Sequence, residues 1–518
     1  EALFAKSASP SPCCKLKNLL IFFNIYGILT SATRKFYVER INQAMKLNYK
    51  RVVLVGMAFF LISAFWQAYD AIIPLILTNH FGLPQTASGA IMSIDNVLAV
   101  FLLPIFGALS DKVRTRFGKR TPFIFVGTII AVVAFICLTL IDNYQLARVI
   151  AAGIPGMEGN IVTTPEIAET QAELVRKLTL ELTLANPMPL IGFIATLLVV
   201  LVAMATFRSP AVALMPDVTV KPLRSKANAI INLTGTAGGI LVLVLGIVFA
   251  TSKNHYMQYT GYIVAVSAIM LTGFVIFLLS VKENKWAAEM EADTRRLGLE
   301  DTPADNADPT AKKSLSKPEL RSLLLILASV ALWYIGYNSI TSKYSVYATN
   351  VLHFDFNLTL IIAQAAAIVS YIPVGIIASR FGRRKTILAG VTILATAFFI
   401  GNFITSETPE FVMFPVFILA GIGWATINVN SFPMVVELTK SGDVGKYTGY
   451  YYTASMSAQI VAPILSGLLY DLIDMRYVFF AFGTVFVALS FVTMFFVKHG
   501  DAKPIEKKSV LEALDVDD

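Results

Sequence analysis

The amino-acid sequence predicts an all-α membrane protein whose twelve transmembrane helices form two related bundles of six. Three observations lead to this prediction: an unusually apolar composition, twelve long apolar runs, and motifs that recur in both halves of the chain. Of the 518 residues, 56% are hydrophobic and 15% are charged, whereas soluble proteins carry about 25% charged residues. So few charges cannot coat a soluble surface, which excludes an ordinary soluble enzyme, a disordered chain and a disulfide scaffold.

The apolar runs have the length that a membrane-crossing helix needs. At ~1.5 Å per residue, about 20 apolar residues span the hydrocarbon core. Backbone groups in lipid must be satisfied internally, and runs without polar alternation predict helices rather than barrel strands. The predicted spans are about 52–78, 88–110, 121–141, 189–216, 227–251, 259–281, 320–347, 357–379, 386–405, 411–436, 447–470 and 477–497.

Basic residues are distributed unequally between the loops on the two sides. Loops two, four, eight and ten carry Lys112, Arg114, Arg116, Lys119, Arg120, Lys221, Arg224, Lys226, Arg380, Arg383, Arg384, Lys385, Lys440 and Lys446. The opposite short loops carry Lys253 and Arg476. This asymmetry predicts that both termini lie on the cytoplasmic side of the cell membrane. The basic loops also account for the net charge of +8. The expected partner is therefore the lipid bilayer, and no nucleic acid is expected to bind.

Two long polar stretches and an unusual N-terminus complete the predicted organisation. The stretch 142–188 is an extracytoplasmic insert with a helical pattern from Thr164 to Leu184, and 282–319 is a cytoplasmic linker. The first methionine is Met45, so we expect the residues before it to be a non-native or upstream extension; an uncleaved signal-like segment is the alternative. The predicted ranges are 1–44 for the extension, 45–281 for the first bundle, 282–319 for the linker, 320–497 for the second bundle and 498–518 for a cytoplasmic tail.

Three motifs recur in the same order in the two halves. The stretch from Gly107 to Phe123 after the second span is echoed by Gly375 to Thr386 after the eighth. Likewise, Ala68-Tyr69-Asp70-Ala71-Ile72 is echoed by Gly336-Tyr337-Asn338-Ser339-Ile340, and Ser209 to Asp217 by Ser431 to Glu437. Because repeats in order indicate duplication, the sequence predicts two equivalent six-helix units.

These motifs also carry a resemblance to a known family. The 107–120 stretch, with its acid, spaced basic residues and glycine, resembles the loop signature of the major facilitator superfamily. Arg116 to Ile124 and Arg208 to Asp217 further resemble the glycoside–pentoside–hexuronide:cation symporters and the related plant and animal sucrose carriers. The resemblance covers about 46–497 and implies the major facilitator fold, an alternating-access carrier, and a substrate site at mid-membrane between the halves. Since one chain contains both halves of that site, we expect a functional monomer.

Ionisable residues inside the spans are the candidates for proton coupling. Inserting such a residue into the membrane costs roughly a few kcal/mol of free energy, so its presence within a span indicates a functional or structural role. Asp70 and Asp95 lie at a similar height in their spans, with Arg208 below them. A nearby cation changes how readily a carboxylate holds a proton. We therefore expect Asp70 to carry the proton, Asp95 to be its partner, and Arg208 to modulate it or to donate to substrate; a static internal ion pair is the alternative.

Two positions bear on the coupling ion and on sugar contact. Melibiose-type members of the resembled family carry paired sodium-binding acids in the second span, where this chain has Ala99 and Leu103. Plant sucrose carriers place an arginine where this chain has Val212, one helical turn from Arg208. The expected coupling ion is therefore a proton, and no cofactor or metal is expected.

Aromatic and neutral hydrogen-bonding residues near these charges form an inventory that fits a sugar site. Aromatic faces pack against sugar C–H groups while amides bind hydroxyls; the alternatives are interface anchoring for the aromatics and helix-to-helix hydrogen bonding for the amides. The candidate substrate-binding residues are Trp66, Gln67, Tyr69, Asn232, Trp333, Tyr337, Asn338, Gln364, Trp424 and Asn428.

Charged residues in the basic loops are expected to form ion pairs that close a cytoplasmic gate, although membrane topology alone also explains basic residues at these positions. The candidate gate residues are Asp111, Arg116, Lys119, Arg120, Asp217, Arg224, Arg380, Arg383, Arg384 and Glu437.

The sequence thus favours a proton-coupled symporter of a disaccharide-like glycoside such as sucrose, with a sugar as its small-molecule partner. The alternative is a carrier of the same superfamily for another cargo: a drug for efflux, a polyol or a nucleoside. No nucleotide-binding or hydrolase motif occurs in the sequence, so an enzyme is not expected. A receptor or channel would not predict duplicated halves.

Overall fold

The computed structural model describes residues 47–154, 165–220, 223–253, 255–296, 316–436 and 444–499. These ranges are mainly helical, and eleven of their helices are long and apolar enough to cross a membrane. The N-terminal half contains α1 (Tyr49–Leu75), α2 (Gln85–Lys112), α3 (Thr121–Ala151), α4 (Pro165–Ala185), α5 (Met188–Val218), α6 (Arg224–Val248) and α7 (Thr260–Ser280). After α8 (Glu283–Arg296), the C-terminal half contains α9 (Lys317–Thr341), α10 (Tyr344–Tyr347), α11 (Phe356–Phe381), α12 (Arg383–Gly401), α13 (Met413–Val436), α14 (Val444–Leu472) and α15 (Met475–Phe495).

The membrane-crossing helices fall on the twelve predicted spans. The twelfth is α11, which begins with the shorter apolar segment Phe356–Tyr371. The predicted extension 1–44, the centre of the insert, most of the linker from 297 to 315 and the tail beyond 499 lie outside the described residues. The division of the chain into the predicted ranges stays a prediction.

Two stretches that the sequence predicts to be polar connections are more ordered than expected. Helix α3 continues to Ala151, beyond the predicted end of its span at 141. Its polar residues Asp142 and Gln145 are fully buried because they contact the end of α1 and the insert helix α4. Within the predicted linker, α8 packs against α5.

The two halves repeat the same set of helix contacts. Helix α1 packs against α6 and α7 as α9 packs against α14 and α15. Helix α3 packs against α5 and α7 as α12 packs against α13 and α15. The halves meet along α2 and α14 on one side and along α6 and α11 on the other. This repetition is the arrangement expected of duplicated six-helix units with a site between them.

The outer surface of the helices is strongly apolar. Large side chains such as Val133, Leu279 and Val369 are more than half exposed. A surface of this kind is stable in hydrocarbon and unstable in water. The chain is therefore a multi-pass membrane protein.

Helices α1 and α9 are both interrupted near the same end of the molecule. Helix α1 continues into a π-helical turn, Ile76–His80, and α9 gives way to the short α10 and a second π-helical turn, Ala348–Leu352. Turns of this kind occur frequently at functional sites. Here they place equivalent parts of the two halves opposite each other.

Candidate functional site

A cavity of about 190 Å³ lies between the two halves. Residues from α1, α2, α5 and α9 and from α14 form its wall, so both halves contribute. The lining residues are Trp66, Asp70, Met92, Asp95, Asn96, Arg208, Asn338, Thr341, Ser342, Gln459 and Pro463. Most of the groups that face the cavity are polar or charged, which is unusual for the interior of a membrane protein.

The three candidate proton-coupling residues share the wall of this cavity. Asp70 is exposed although it lies deep in the bundle, because its side chain faces the cavity. Asp95 accepts a hydrogen bond of 2.8 Å from the side chain of Asn96. Arg208 attracts Asp95, and its guanidinium lies 5.8 Å from the centre of the Trp66 ring. The two carboxylates repel each other, so the charge of this site depends on whether a proton is present.

Five of the candidate residues for coupling and substrate contact line the cavity: Trp66, Asp70, Asp95, Arg208 and Asn338. Gln67 and Gln364 lie between the halves instead, where the amide nitrogen of Gln364 donates to the amide oxygen of Gln67 at 2.7 Å. This hydrogen bond satisfies two groups that a substrate hydroxyl would otherwise bind.

The other aromatic and amide candidates do not line this cavity. Tyr69 is buried and stacks on Phe65 with 5.9 Å between ring centres. The rings of Tyr337 and Trp424 are 6.1 Å apart. The structure does not include the following candidates in the lining: Gln67, Tyr69, Asn232, Trp333, Tyr337, Gln364, Trp424 and Asn428.

Sequence reasoning missed the contribution of α14 to the cavity. Gln459 and Pro463 of that helix form part of the wall. The available signal was a glutamine inside an apolar run, because a polar residue within a span requires a partner or a cavity. Asn96, next to Asp95, is a second missed residue of the same kind.

A second cavity, of about 420 Å³, lies one helical turn along α2 from the first. Ala99 and Leu103, which follow Asp95 on α2, form one wall, and Tyr452 and Met456 of α14 form the other. The lining is mainly apolar, in contrast to the central cavity. Its position between α2 and α14 leads from the central cavity towards the loops that follow α2 and α11, which we call the basic end.

At the basic end, four of the candidate gate residues form one ion-pair cluster within the N-terminal half. Arg120 is almost fully buried and donates to the Asp217 carboxylate at 2.8 Å and also to Ser110 and Asp111. Lys119 lies 3.1 Å from the other carboxylate oxygen of Asp217. The cluster therefore joins α2, α3 and α5 to one another.

The remaining gate candidates have other positions. Arg116 lies over the ring of Phe117 with 4.6 Å to the ring centre. Arg224 donates to the backbone carbonyls of Pro216 and Thr219, at 2.9 and 3.1 Å. Arg384 donates to the backbone carbonyl of Phe495 at 2.5 Å, while Arg380 lies in the last turn of α11 and Arg383 begins α12. Glu437 lies outside the described residues.

An acid that sequence reasoning missed holds the loop before α3. The Glu283 carboxylate, at the start of α8, accepts hydrogen bonds from the backbone N–H groups of Lys119, Arg120 and Thr121 at 2.7 to 2.9 Å. It thereby caps the N-terminus of α3, where unpaired N–H groups favour a negative charge. Because Glu283 and Lys119 are 164 positions apart, no local sequence pattern could reveal the contact.

Helix α8 makes further contacts with the same region. Asn284 donates to the backbone carbonyls of Thr115 and Arg116 at 3.0 Å. Arg51, in the first turn of α1, forms an ion pair with Glu289 and lies over the ring of Trp286. The helix thus fastens the loop between α2 and α3 to the start of α1.

At the opposite end, hydrogen bonds join the two halves directly; we call it the sealed end. The side chains of Asn79 and Asn350, in the two π-helical turns, donate to each other at 2.7 and 3.3 Å. The Asn357 amide donates to the Thr251 hydroxyl at 3.0 Å. These contacts close this end of the central cavity.

Comparison with known proteins now identifies the family. The family model of the Major Facilitator Superfamily matches residues 30–176, 178–370 and 355–514. The chain belongs to the major facilitator superfamily. It is accordingly a membrane transporter rather than an enzyme, and the predicted fold class, twelve transmembrane helices in two repeated bundles, is confirmed.

Several known proteins resemble the chain to different extents. It is 32% identical over 109 residues to the proton-associated sugar transporter A of Homo sapiens, a match covering 21% of this chain and 14% of that protein. The inward-open structure of the xylose transporter XylE from E. coli matches with a TM-score of 0.59 at 13% identity, covering 90% of this chain and 99% of that one. The nucleoside transporter NupG matches with a TM-score of 0.53 at 14% identity, covering 86% and 98%. At these identities the structural matches show the fold.

Proposed function

We propose that this superfamily member is a proton-coupled sugar symporter that works by alternating access. The observation that carries the proposal is the position of Asp70, an acid that faces a cavity between the two halves and shares its wall with Asp95 and Arg208. An ionisable group in such a position is a candidate for a proton-binding step rather than for packing.

The charges of the cavity supply the physical basis for proton coupling. With both carboxylates ionised, Asp70 and Asp95 repel each other across the cavity wall, and one arginine offsets one of the two charges. A proton on Asp70 removes the remaining charge and with it the cost of closing the cavity around a desolvated anion. Closure with proton and substrate bound is thereby favoured over closure with substrate alone, which is what couples the two flows.

The neutral groups of the cavity supply the basis for sugar binding. Asn338, Thr341 and Gln459 present amide and hydroxyl groups, and Trp66 presents an aromatic ring. Polar groups of this kind bind hydroxyls, and the ring packs against C–H groups. Two similar proteins agree with this cargo class: one is a proton-associated sugar transporter and the other, similar in fold, is a xylose transporter. The proposed substrate is a disaccharide-like glycoside such as sucrose.

The proposed orientation follows from the basic loops. With the basic end on the cytoplasmic side, as the loop charges predict, the structure represents a state that is closed to the outside at the sealed end. The second cavity then lies on the substrate path to the cytoplasm. We place the protein as a monomer in the cytoplasmic membrane, with both termini in the cytoplasm.

The test is transport by Asp70→Asn in proteoliposomes with an imposed proton gradient. We expect uphill sugar uptake to be lost, since asparagine cannot carry the proton, while exchange of labelled for unlabelled sugar at equilibrium continues. Glu173→Gln, an acid on the surface of α4 that pairs with Lys177, is the matched control and should accumulate sugar normally. Undiminished uphill uptake by Asp70→Asn would remove Asp70 from the coupling mechanism.

A second candidate function is export of an amphipathic drug-like compound. The observation that favours it is the larger, mainly apolar second cavity beside the polar one. Substrate-dependent alkalinisation of the medium by cells expressing the protein, tested with a panel of sugars, supports the sugar symporter. Proton-driven efflux of cationic dyes without such alkalinisation supports the exporter.

A further inference from the structure

Lys343 is a buried lysine that the proposed coupling mechanism does not use. It lies in the break between α9 and α10, two residues after Thr341 of the cavity wall, and its side chain has no exposed surface. Its ammonium donates to the Ser88 hydroxyl of α2, in the other half, at 2.7 Å. An ammonium can donate three hydrogen bonds, and within the described ranges this is the one that its side chain makes.

Asp471 of α14 binds the same turn of α2 from the C-terminal half. Its carboxylate accepts hydrogen bonds from the backbone N–H groups of Gln85 and Thr86, both at 2.7 Å. A negative charge at a helix N-terminus is favourable, so this contact holds the halves together at the sealed end. Asp471 also attracts the Lys343 ammonium, although the two do not form a close ion pair.

These two charges respond oppositely when the sealed end opens. Asp471 is exposed while the end is closed, so it loses little hydration on closure and gains the hydrogen bonds to α2. The Lys343 side chain is fully buried, and its ammonium contacts Ser88 on α2 of the other half, so opening of the sealed end would uncover it. When the sealed end closes, the Lys343 ammonium loses its hydrating water and gains one hydrogen bond, to the Ser88 hydroxyl. Burying a charge with so few partners is unfavourable.

We propose that Lys343 destabilises the closed form of the sealed end and so keeps the transporter able to reopen there, whereas Asp471 and the Asn79–Asn350 pair hold that end shut. Lys343 is thereby a residue that sets the balance between the two conformations. The proposal rests on alternating access, and on neither the cargo nor the coupling ion of the proposed function.

The experiment measures the opening of the sealed end directly, without substrate. Spin labels are attached at Ala185→Cys, at the end of α4, and Ser406→Cys, between α12 and α13, which are both exposed at this end in opposite halves. Cys13, Cys14 and Cys137 are first replaced by serine. Electron–electron distance distributions in nanodiscs then give the ratio of open to closed molecules.

Four variants have opposite expected effects. Asp471→Asn and Asn79→Ala each remove a contact between the halves and should raise the open-to-closed ratio severalfold. Ser88→Ala leaves the ammonium without its hydroxyl and should also raise it. Lys343→Met, which replaces the charge by an apolar chain of similar length, should lower the ratio, by about tenfold or more when introduced into the opened Asp471→Asn background.

The direction of the Lys343→Met effect decides the proposal. If Lys343 is instead a lock between the halves, its replacement opens the sealed end further, and this result overturns the proposal, as does an unchanged ratio. Ser88→Ala provides an independent test should Lys343→Met fail to fold, because closure on that variant contradicts the same reasoning. Failure of the proton-coupled sugar transport would leave these distances unaffected, so the two proposals fail separately.

Discussion

Glu283 offers a test of how α8 supports the basic end. In Glu283→Ala, three backbone N–H groups at the start of α3 lose their acceptor, as does the Thr121 hydroxyl, which donates to the same carboxylate at 2.7 Å. Glu283 is almost fully buried, so little water replaces it. Leaving buried donors unpaired costs about 1–3 kcal/mol each when taken alone. With partial relaxation we expect a total loss of about 2–4 kcal/mol, and about half of that in Glu283→Gln, which keeps an acceptor oxygen.

The assay is thermal unfolding of the purified protein in detergent. For a unit of the size of one six-helix half, each kcal/mol shifts Tm by about 2–4 °C, so a loss of about 2–4 kcal/mol in Glu283→Ala should lower Tm by about 4–16 °C. Glu291→Gln is the matched control, since Glu291 lies on the same helix and is exposed; its Tm should change little. A Glu283→Ala protein as stable as the Glu291→Gln control would refute the view that this acid fastens α8 to α3.

Two further predictions concern sites where burial leaves little freedom. Gly118 has a φ of +127°, and a Cβ placed there would lie 2.1 Å from a Glu283 carboxylate oxygen. Gly118→Ala should therefore lower the Tm measured by thermal unfolding, and it should lower it less in the Glu283→Ala background. An equal loss of stability in both backgrounds would contradict the contact. His80 and Asp142 form a fully buried pair, with 2.6 Å between the ring nitrogen and the carboxylate oxygen. His80→Ala leaves the carboxylate buried without this partner and should lower the free energy of unfolding by about 3–5 kcal/mol. Its Tm should be much lower than that of Asn143→Ala, the control at the neighbouring position on α3.

The fold was predictable because each of its determinants is local in the sequence. A run of apolar residues such as 259–281 becomes a helix regardless of its partners, and its observed counterpart is α7, Thr260–Ser280. The order of the recurring motifs then gives the duplicated halves. Helix α3 ends later than predicted because Asp142 and Gln145 resemble the start of a polar loop and are in fact buried against α1 and α4.

The candidate site was predictable only in part, for a different physical reason. Charges within spans are rare, so Asp70, Asp95 and Arg208 stand out from composition alone, and the structure places all three on one cavity wall. Neutral residues carry no such signal: which way Tyr69 or Asn428 faces depends on helix rotation, and both are buried. Glu283 and Asp471 act on elements that are distant in the sequence, which composition and spacing do not reveal.

The repeat explains why the interface between the halves has matching neutral residues at the sealed end and an acid from one half only at the central cavity. At the sealed end, the π-helical turns of the two halves bring Asn79 and Asn350 together as a reciprocal pair of like residues. At the central cavity, the equivalent positions of the recurring motif are Asp70 and Asn338, which both line the wall. An interface between like halves closes well with neutral partners that both donate and accept. Two facing acids would instead repel each other whenever the halves approach, so the symmetric scaffold accommodates the ionisable group of the motif on one side only, and it is the N-terminal half that carries it.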